Sequence, residues 1–150
     1  MSCSNLNERY KKAVKDPLQL SDKEFETLFE KAELPPSLFN HEAHLRLAWL
    51  YINKYGEEKA AAKTCKEIEQ FDRLHGKGNK FNTTMSVAAI KIVHHFIKKS
   101  ESKDFQMFIE EFPRLKTAFK ALVDQHYAID IFSNTESKAS FIEPDLLAFD

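Results

Sequence analysis

The sequence predicts an all-α fold, a single-domain helical bundle of about six or seven helices. Apolar residues recur at the i, i+3, i+4, i+7 spacing of an amphipathic helix in segment after segment. The composition is rich in Lys, Glu, Phe and Leu and holds only three glycines, which disfavours a turn-rich β architecture. Proline and glycine fall between the periodic segments, where helices must stop. With 150 residues, 43% of them hydrophobic, and thirteen Phe, the chain can fill one core. Within that domain, 1–37 reads as N-terminal helices, 38–127 as the core, and 128–150 as a C-terminal tail packed on the bundle.

Leu6, Tyr10, Ala13 and Val14 mark a short first helix that stops before Pro17, because proline disfavours helical geometry in the residue before it. Ser21 and Glu24 form a capping box, opening a helix with Phe25, Leu28, Phe29 and Ala32 on one face. Pro35-Pro36 ends it and leads stiffly to Asn40, the N-cap of the stretch His41 to Tyr55 around which the rest of the chain is organised. There Leu45, Leu47, Ala48, Trp49, Tyr51, Ile52 and Tyr55 fill a broad apolar arc, with Arg46, Asn53 and Lys54 opposite. Leu50 is the exception, pointing to the polar side, where it meets a second layer or lies exposed.

Gly56 stops this helix, and Glu57 and Glu58 open the next, complementing the positive end of its dipole. Its inward row is Ala61, Thr64 or Cys65, Ile68, Phe71 and His75. Gly76 and Gly78 break it, and a helix from about Asn82 to Lys99 then turns Met85, Ala89, Ile92, Val93 and Phe96 inward. Phe105, Phe108, Ile109 and Phe112 define a further helix before Pro113, and Leu115, Phe119, Leu122 and Val123 another that runs to His126. The tail from Ser133 is irregular, and Leu146, Leu147 and Phe149 are apolar enough to dock on the body.

A net charge of −1 and a pI near 6.6, with acids and bases interspersed, leave no basic footprint for nucleic acid and no one-sided field for a membrane. No run approaches the roughly 20 apolar residues of a membrane span, and the amino terminus lacks a signal-like apolar region, so a cytoplasmic location is expected. Cys3 and Cys65 are placed for reduced thiols rather than a disulfide framework, and Cys65 has no cation on its row to activate it. The GKGNK loop is not a phosphate loop, so no nucleotide cofactor is expected, and no nucleophile elbow is present. Oligomeric state is left open.

His41 and His44 lie inside the apolar arc one turn apart. Polar rings on a buried face need partners, which makes this pair the best lead to chemistry. The tight connection at Gly56 makes its flanking helices antiparallel neighbours. At about 1.5 Å per residue, His41 lies about 22 Å from Gly56 and His75 about 28 Å, a mismatch of about one turn. The following loop returns at the same end with Asn82 on the inner face of its helix. His41, His44, His75 and Asn82 are therefore expected to converge.

Neutral imidazoles suit zinc, iron, nickel and copper, carboxylates suit iron and manganese, and three imidazoles with an open position form the pattern of a catalytic zinc. His41, His44 and His75 are the candidate ligands, and Asn82 is a fourth ligand or a substrate contact. Glu42 or Asp72 would orient an imidazole from behind. The paired Glu-x-x-His motifs of a di-iron bundle and the HExxH motif are both missing. Two readings stay open. One is a metal or small-ligand site, extending to a metal-dependent hydrolase or oxygenase acting on a small molecule. The other is a non-catalytic scaffold or interaction protein whose histidines form a buried hydrogen-bond network. His94 and His95 read as boundary residues, His126 as a core or boundary residue with membership of the site as its alternative, and Trp49 and the Phe side chains as core.

Three segments, FNHEAHLRLAWLYINKYG, HGKGNKFNTT and SNTESKASFIEPDL, together resemble a family of small, uncharacterised bacterial all-helical proteins over roughly residues 38–147. The family pattern has a His-x-x-His start to a Leu-Arg-x-Ala-Trp helix, a later His-Gly, an aromatic-His-Glu-Thr segment and a late Glu-Pro-Asp-Leu. His41, His44, His75, Gly76, Thr84 and the run from Glu143 to Leu146 match it, while Asn82 and Thr83 stand where the pattern has His and Glu. The resemblance implies an all-helical fold with a shared His cluster and carries no activity. With Asn82 in place of a His, it implies weaker metal binding, ligation through the Asn82 oxygen, or a lost site. The position and apolar ending of the EPDL segment imply a lid over the site.

Overall fold

The structure, a computed structural model, describes residues 16–150; the helix expected through Leu6, Tyr10, Ala13 and Val14 lies outside the described residues, as does Cys3. Every regular element among the described residues is helical: α1 (Asp22–Glu30), α2 (His41–Tyr55), α3 (Glu57–His75), α4 (Thr83–Ile97), α5 (Phe105–Glu111), α6 (Arg114–Thr117), α7 (Phe119–Asp124) and α8 (Thr135–Ala139). Single 3₁₀ turns stand at Pro17–Gln19 and Pro36–Leu38. The all-α, single-domain bundle is as expected. The number of helices is larger, because the segment after Pro113 breaks at Ala118 (φ −139°, ψ 36°) into α6 and α7, and because the irregular tail forms the short α8.

The local signals account for the main helix starts. Ser21 Oγ accepts from the Glu24 N–H at 3.1 Å, and Glu24 Oε1 accepts from the Ser21 N–H at 3.0 Å, a complete capping box. Asn40 Oδ1 accepts from the Ala43 N–H at 2.8 Å and caps α2. Gly56 sits at φ +85°, where a side chain would be strained, and so ends α2 and turns the chain directly into α3.

Helix α2 is central, packing against α3, α4, α5 and α6. All eight residues from Leu45 to Ile52 are buried, so the helix is enclosed all round rather than along one arc. This corrects the placement of Arg46 on an exposed face. Arg46 is 5% exposed, donates to the carbonyls of Pro17 (2.9 Å) and Leu20 (2.8 Å), pairs with Asp22 (2.7 Å), and lies over the Phe25 ring. The segment before α1 and α1 itself are thus the second layer that buries this side of α2. Leu50 is likewise buried.

The buried row of α3 is Ala60, Thr64, Glu67, Phe71 and Asp72, rotated from the expected one; Ala61, Cys65 and Ile68 are only half-buried. Two acids belong to that row because each has partners. Glu67 accepts from the buried Tyr51 hydroxyl and pairs with Lys63 at 2.7 Å. Burial first, then this hydrogen bond and the Glu67 charge, raise the Tyr51 hydroxyl far above its ordinary range, so it remains a donor.

In the tail, Leu146 and Leu147 are 59% and 56% exposed, correcting the expectation that their side chains dock. Only their backbone is held, the N–H groups donating to the carbonyls of His126 and Gln125. Phe149 does dock, stacked on His126 with ring centroids 4.2 Å apart. No helix among the described residues is long and apolar enough to cross a membrane.

Candidate functional site

A cavity of about 390 Å³ opens between α2, α3 and α4. His41, His44, Leu45 and Ala48 line it from α2, Thr64, Ile68, Phe71, Asp72 and His75 from α3, and Met85, Ser86, Ala89, Ile90 and Val93 from α4. Phe39, Phe81, Asn82 and Phe119 help to close it. The antiparallel turn at Gly56 brings the start of α2 and the end of α3, with His41 and His75, to the same cavity, and the loop after His75 returns Asn82 to it. His41, His44, His75 and Asn82 therefore share one wall system.

Their polar atoms have different fates. His41 Nε2 lies 3.0 Å from the Leu115 carbonyl, and its ring packs on Phe119 at 5.2 Å. His75 Nε2 lies 2.5 Å from the Ala32 carbonyl, with its ring 4.6 Å from Phe71. A carbonyl has no proton to give, so in both rings Nε2 carries the proton and donates. His44 stacks on Phe39 at 3.7 Å and 17°, and neither of its ring nitrogens bonds a described protein group. His41, His44 and His75 are all exposed rather than on a buried face as expected, and His44, although closely surrounded by protein, opens onto the cavity. Burial, then the charge of His41, lowers its pKa to about 4, so it is neutral at ordinary pH.

Asn82 is the N-cap of α4. Its Oδ1 accepts from the Met85 N–H at 2.9 Å, and its Nδ2 donates to the Ile131 carbonyl at 2.6 Å. Thr83 and Thr84 continue the clasp through the carbonyls of Lys138 and Ser140. The run Asn82-Thr83-Thr84 thus ties α4 to the segment around α8.

The expected ligand set shares a cavity without forming a coordination sphere. Among the described residues, no group of three or more His, Cys, Asp or Glu is placed to hold a metal ion. The physical reason is that His41 and His75 each spend Nε2 on a separate carbonyl, and both polar atoms of Asn82 are committed. Nor do Glu42 and Asp72 back an imidazole as expected. Glu42 pairs with Lys116 at 3.3 Å, and Asp72 Oδ2 accepts the N–H groups of Lys80 (2.8 Å) and Phe81 (3.0 Å). Asp72 winds the loop after α3 around its carboxylate.

The lid is also corrected: no residue of the 143–150 tail lines this cavity, and Leu147 to Asp150 border a second one, about 330 Å³, beside His95 and His126. There His95 Nδ1 meets Asp150 at 2.6 Å and His126 Nδ1 donates to the Leu147 carbonyl at 2.7 Å. His94 Nδ1 lies 3.0 Å from Glu57 without the geometry of a hydrogen bond, a boundary residue as expected.

Sequence reasoning missed Phe39, Phe81, Ser86 and Phe119 as walls. Phe39 and Phe81 each immediately precede a capping Asn, and that position beside a helix start is the signal that marks them. Thr64 was one of two candidates for its row; its hydroxyl is buried with no hydrogen-bond partner. Chemically, the site offers apolar enclosure and hydrogen bonding. A base of pKa about 4 is poorly matched to proton abstraction near neutrality. Cys65, pushed up to about 11 by burial and then by Glu69, is a poor nucleophile there.

Fold and cavity define a class, an all-helical protein with a histidine-lined cavity among its three longest helices. Comparison with protein-family models, with curated proteins and with solved structures finds no match for this chain.

Proposed function

We propose that the protein binds a small, largely apolar molecule in this cavity, packed against the His44 ring. The observation that carries the reading is His44 itself, a neutral ring on the cavity wall with both nitrogens free of partners among the described residues. Small-molecule sites are typically concave, about 300–1,000 Å³, and apolar with a few placed polar groups. A cavity of about 390 Å³ with this lining fits that description. A neutral imidazole brings no charge to desolvate and offers a flat aromatic face to an apolar molecule. The near-zero net charge accords with a cytoplasmic protein without a nucleic-acid partner. The His-x-x-His helix shared with the bacterial family belongs to the same proposal, since its two histidines stand on the cavity wall.

The test is a titration with N-phenyl-1-naphthylamine, whose fluorescence rises in apolar surroundings. One saturable site is expected in the parent. Ala89→Phe, which fills the cavity, abolishes it, and Leu146→Ser on the exposed tail leaves it unchanged. A parent with no saturable binding overturns the proposal.

Two rivals each have an observation in their favour. The charge of His41 reaches His44, which favours a divalent transition metal (Zn, Fe, Ni, Cu or Mn) at His41, His44 and His75, with Asn82 nearby, and a metal-dependent enzyme. Elemental analysis of the untagged protein beside a folded His41→Ala/His44→Ala variant decides this, since near-stoichiometric metal lost with the two rings would displace the present reading. The carbonyl bonds of His41 and His75 favour the non-catalytic scaffold, in which replacing the histidines costs stability and nothing else.

A further inference from the structure

We infer that the ligand is an uncharged molecule of two or three fused rings bearing one hydroxyl or carbonyl oxygen, which enters oxygen first and bonds Thr64 at the inner end of the cavity. This rests on the small-molecule reading above and names what the cavity takes.

Size comes first. An apolar cavity of about 150 Å³ accepts one benzene ring. The present cavity, about 390 Å³, is between two and three times larger and matches two or three rings. The walls are themselves flat: Phe39 and His44 are stacked, and Phe39 lies 5.1 Å from Phe71. Aromatic surfaces of this kind favour offset or edge contact with further rings.

Charge comes second. The buried charged group on the wall is Asp72, which is negative and already accepts two backbone N–H groups. A carboxylate or phosphate brought inside would meet that charge with the cation Lys80 left towards the mouth. A buried ion without a partner is strongly disfavoured. An uncharged ligand avoids that cost.

The oxygen comes third. Ala48 lies seven residues, about 10 Å, along α2 from His41, and Thr64 lies further from His75 along α3 in the antiparallel sense. The polar groups are therefore ordered, with His41 and His75 outermost, His44 one turn in and Thr64 innermost. Thr64 is 4% exposed, lines the cavity, and its Oγ1 has no hydrogen-bond partner among the described residues. A buried hydroxyl left unpaired is destabilising, and a ligand oxygen supplies the missing partner. Threonine in a helix divides between two rotamers, so rotation about χ1 can bring the hydroxyl to a ligand oxygen.

The experiment is calorimetric titration at pH 7 of the full chain and of Thr64→Val with naphthalene, 2-naphthol, 2-naphthoate and 2-naphthylmethylamine. In the parent, 2-naphthol binds about tenfold more tightly than naphthalene, the worth of one good hydrogen bond, and both ions bind at least about tenfold more weakly than 2-naphthol. In Thr64→Val the 2-naphthol affinity falls to that of naphthalene, while naphthalene itself binds no worse. The variant's melting temperature holds or rises, because an unpaired hydroxyl has become a methyl, and this shows that it is folded. Equal affinities for all four probes, or tightest binding of either ion, overturn the ligand class and leave the cavity a binding site. An advantage of 2-naphthol that survives in Thr64→Val overturns the role of Thr64. Failure of every probe to bind overturns the small-molecule reading itself.

Discussion

Replacing Gly76 with alanine adds a methyl group where the loop after α3 has no room. A Cβ there lies 2.7 Å from Asp72 Oδ1 and 3.0 Å from the Asp72 backbone oxygen. The carboxylate cannot swing aside freely, because its Oδ2 accepts from the N–H groups of Lys80 and Phe81. The backbone oxygen is fixed too, accepting from Gly76 at 2.8 Å and Gly78 at 3.3 Å. Relief must lengthen or break at least one hydrogen bond to a charged acceptor, each worth about 1.5–3 kcal/mol. We expect Gly76→Ala to cost about 2–3 kcal/mol, a fall in melting temperature of about 6–10 °C for a domain of this size. Because Phe81 and Asn82 end the same loop and border the cavity, probe affinity falls with it. Thermal and urea unfolding of the parent, Gly76→Ala, Asp72→Ala and the double variant provide the assay. Once the Asp72 side chain is gone, the added methyl meets the backbone oxygen alone and should cost less than half as much. Strictly additive costs would refute the claim that the loop is wound on the Asp72 carboxylate.

Three further outcomes are expected. His44 has a folded-state pKa of about 4 against about 6.5 in an unfolded chain, so its contribution is fully present above about pH 6.5 and is lost as pH falls towards 4. Allowing for screening at its open edge, the loss is about 1–2 kcal/mol; His44→Phe removes this part of the pH dependence, and urea unfolding between pH 7.5 and 4.5 checks it. Asn82→Ala strips the cap from α4 and removes one of the two hydrogen bonds to the Ile131 carbonyl, the Ser137 hydroxyl keeping the other, costing about 1–2 kcal/mol, with faster hydrogen exchange at both α4's first turn and α8. Removing residues 143–150 exposes the surface under Phe149 and lowers the melting temperature, yet leaves probe affinity within about twofold, since no tail residue lines the cavity. A large change in affinity would restore the lid.

What could be read from the chain was local or arithmetic. Ser21, Asn40 and Gly56 announce the helix ends through their own chemistry, and helix rise per residue alone brings His41, His44, His75 and Asn82 to one end of the bundle. The errors lie where distant chain decides. An apolar arc says which residues of α2 prefer burial and nothing about what covers the opposite side; Arg46 is buried because the segment from Pro17 to Phe25 lies across it. Which nitrogen of His41 and His75 carries the proton depends on carbonyls 74 and 43 residues away. Asp72 serves a loop and not an imidazole, and Asn82 serves a helix start and α8. Thr64 and Cys65 stand about 100° apart on one helix. Only the packing of α3 between its neighbours chooses between them.

His44 as a wall of the small-molecule site is tested most directly by nitrogen-15 NMR of the imidazole rings during titration with 2-naphthol at pH 7. The His44 ring nitrogens should shift saturably, with the affinity found by calorimetry, while those of His95 and His126, at the second cavity, stay in place. Binding that leaves His44 unmoved, or moves His126 equally, would contradict the site proposed for it.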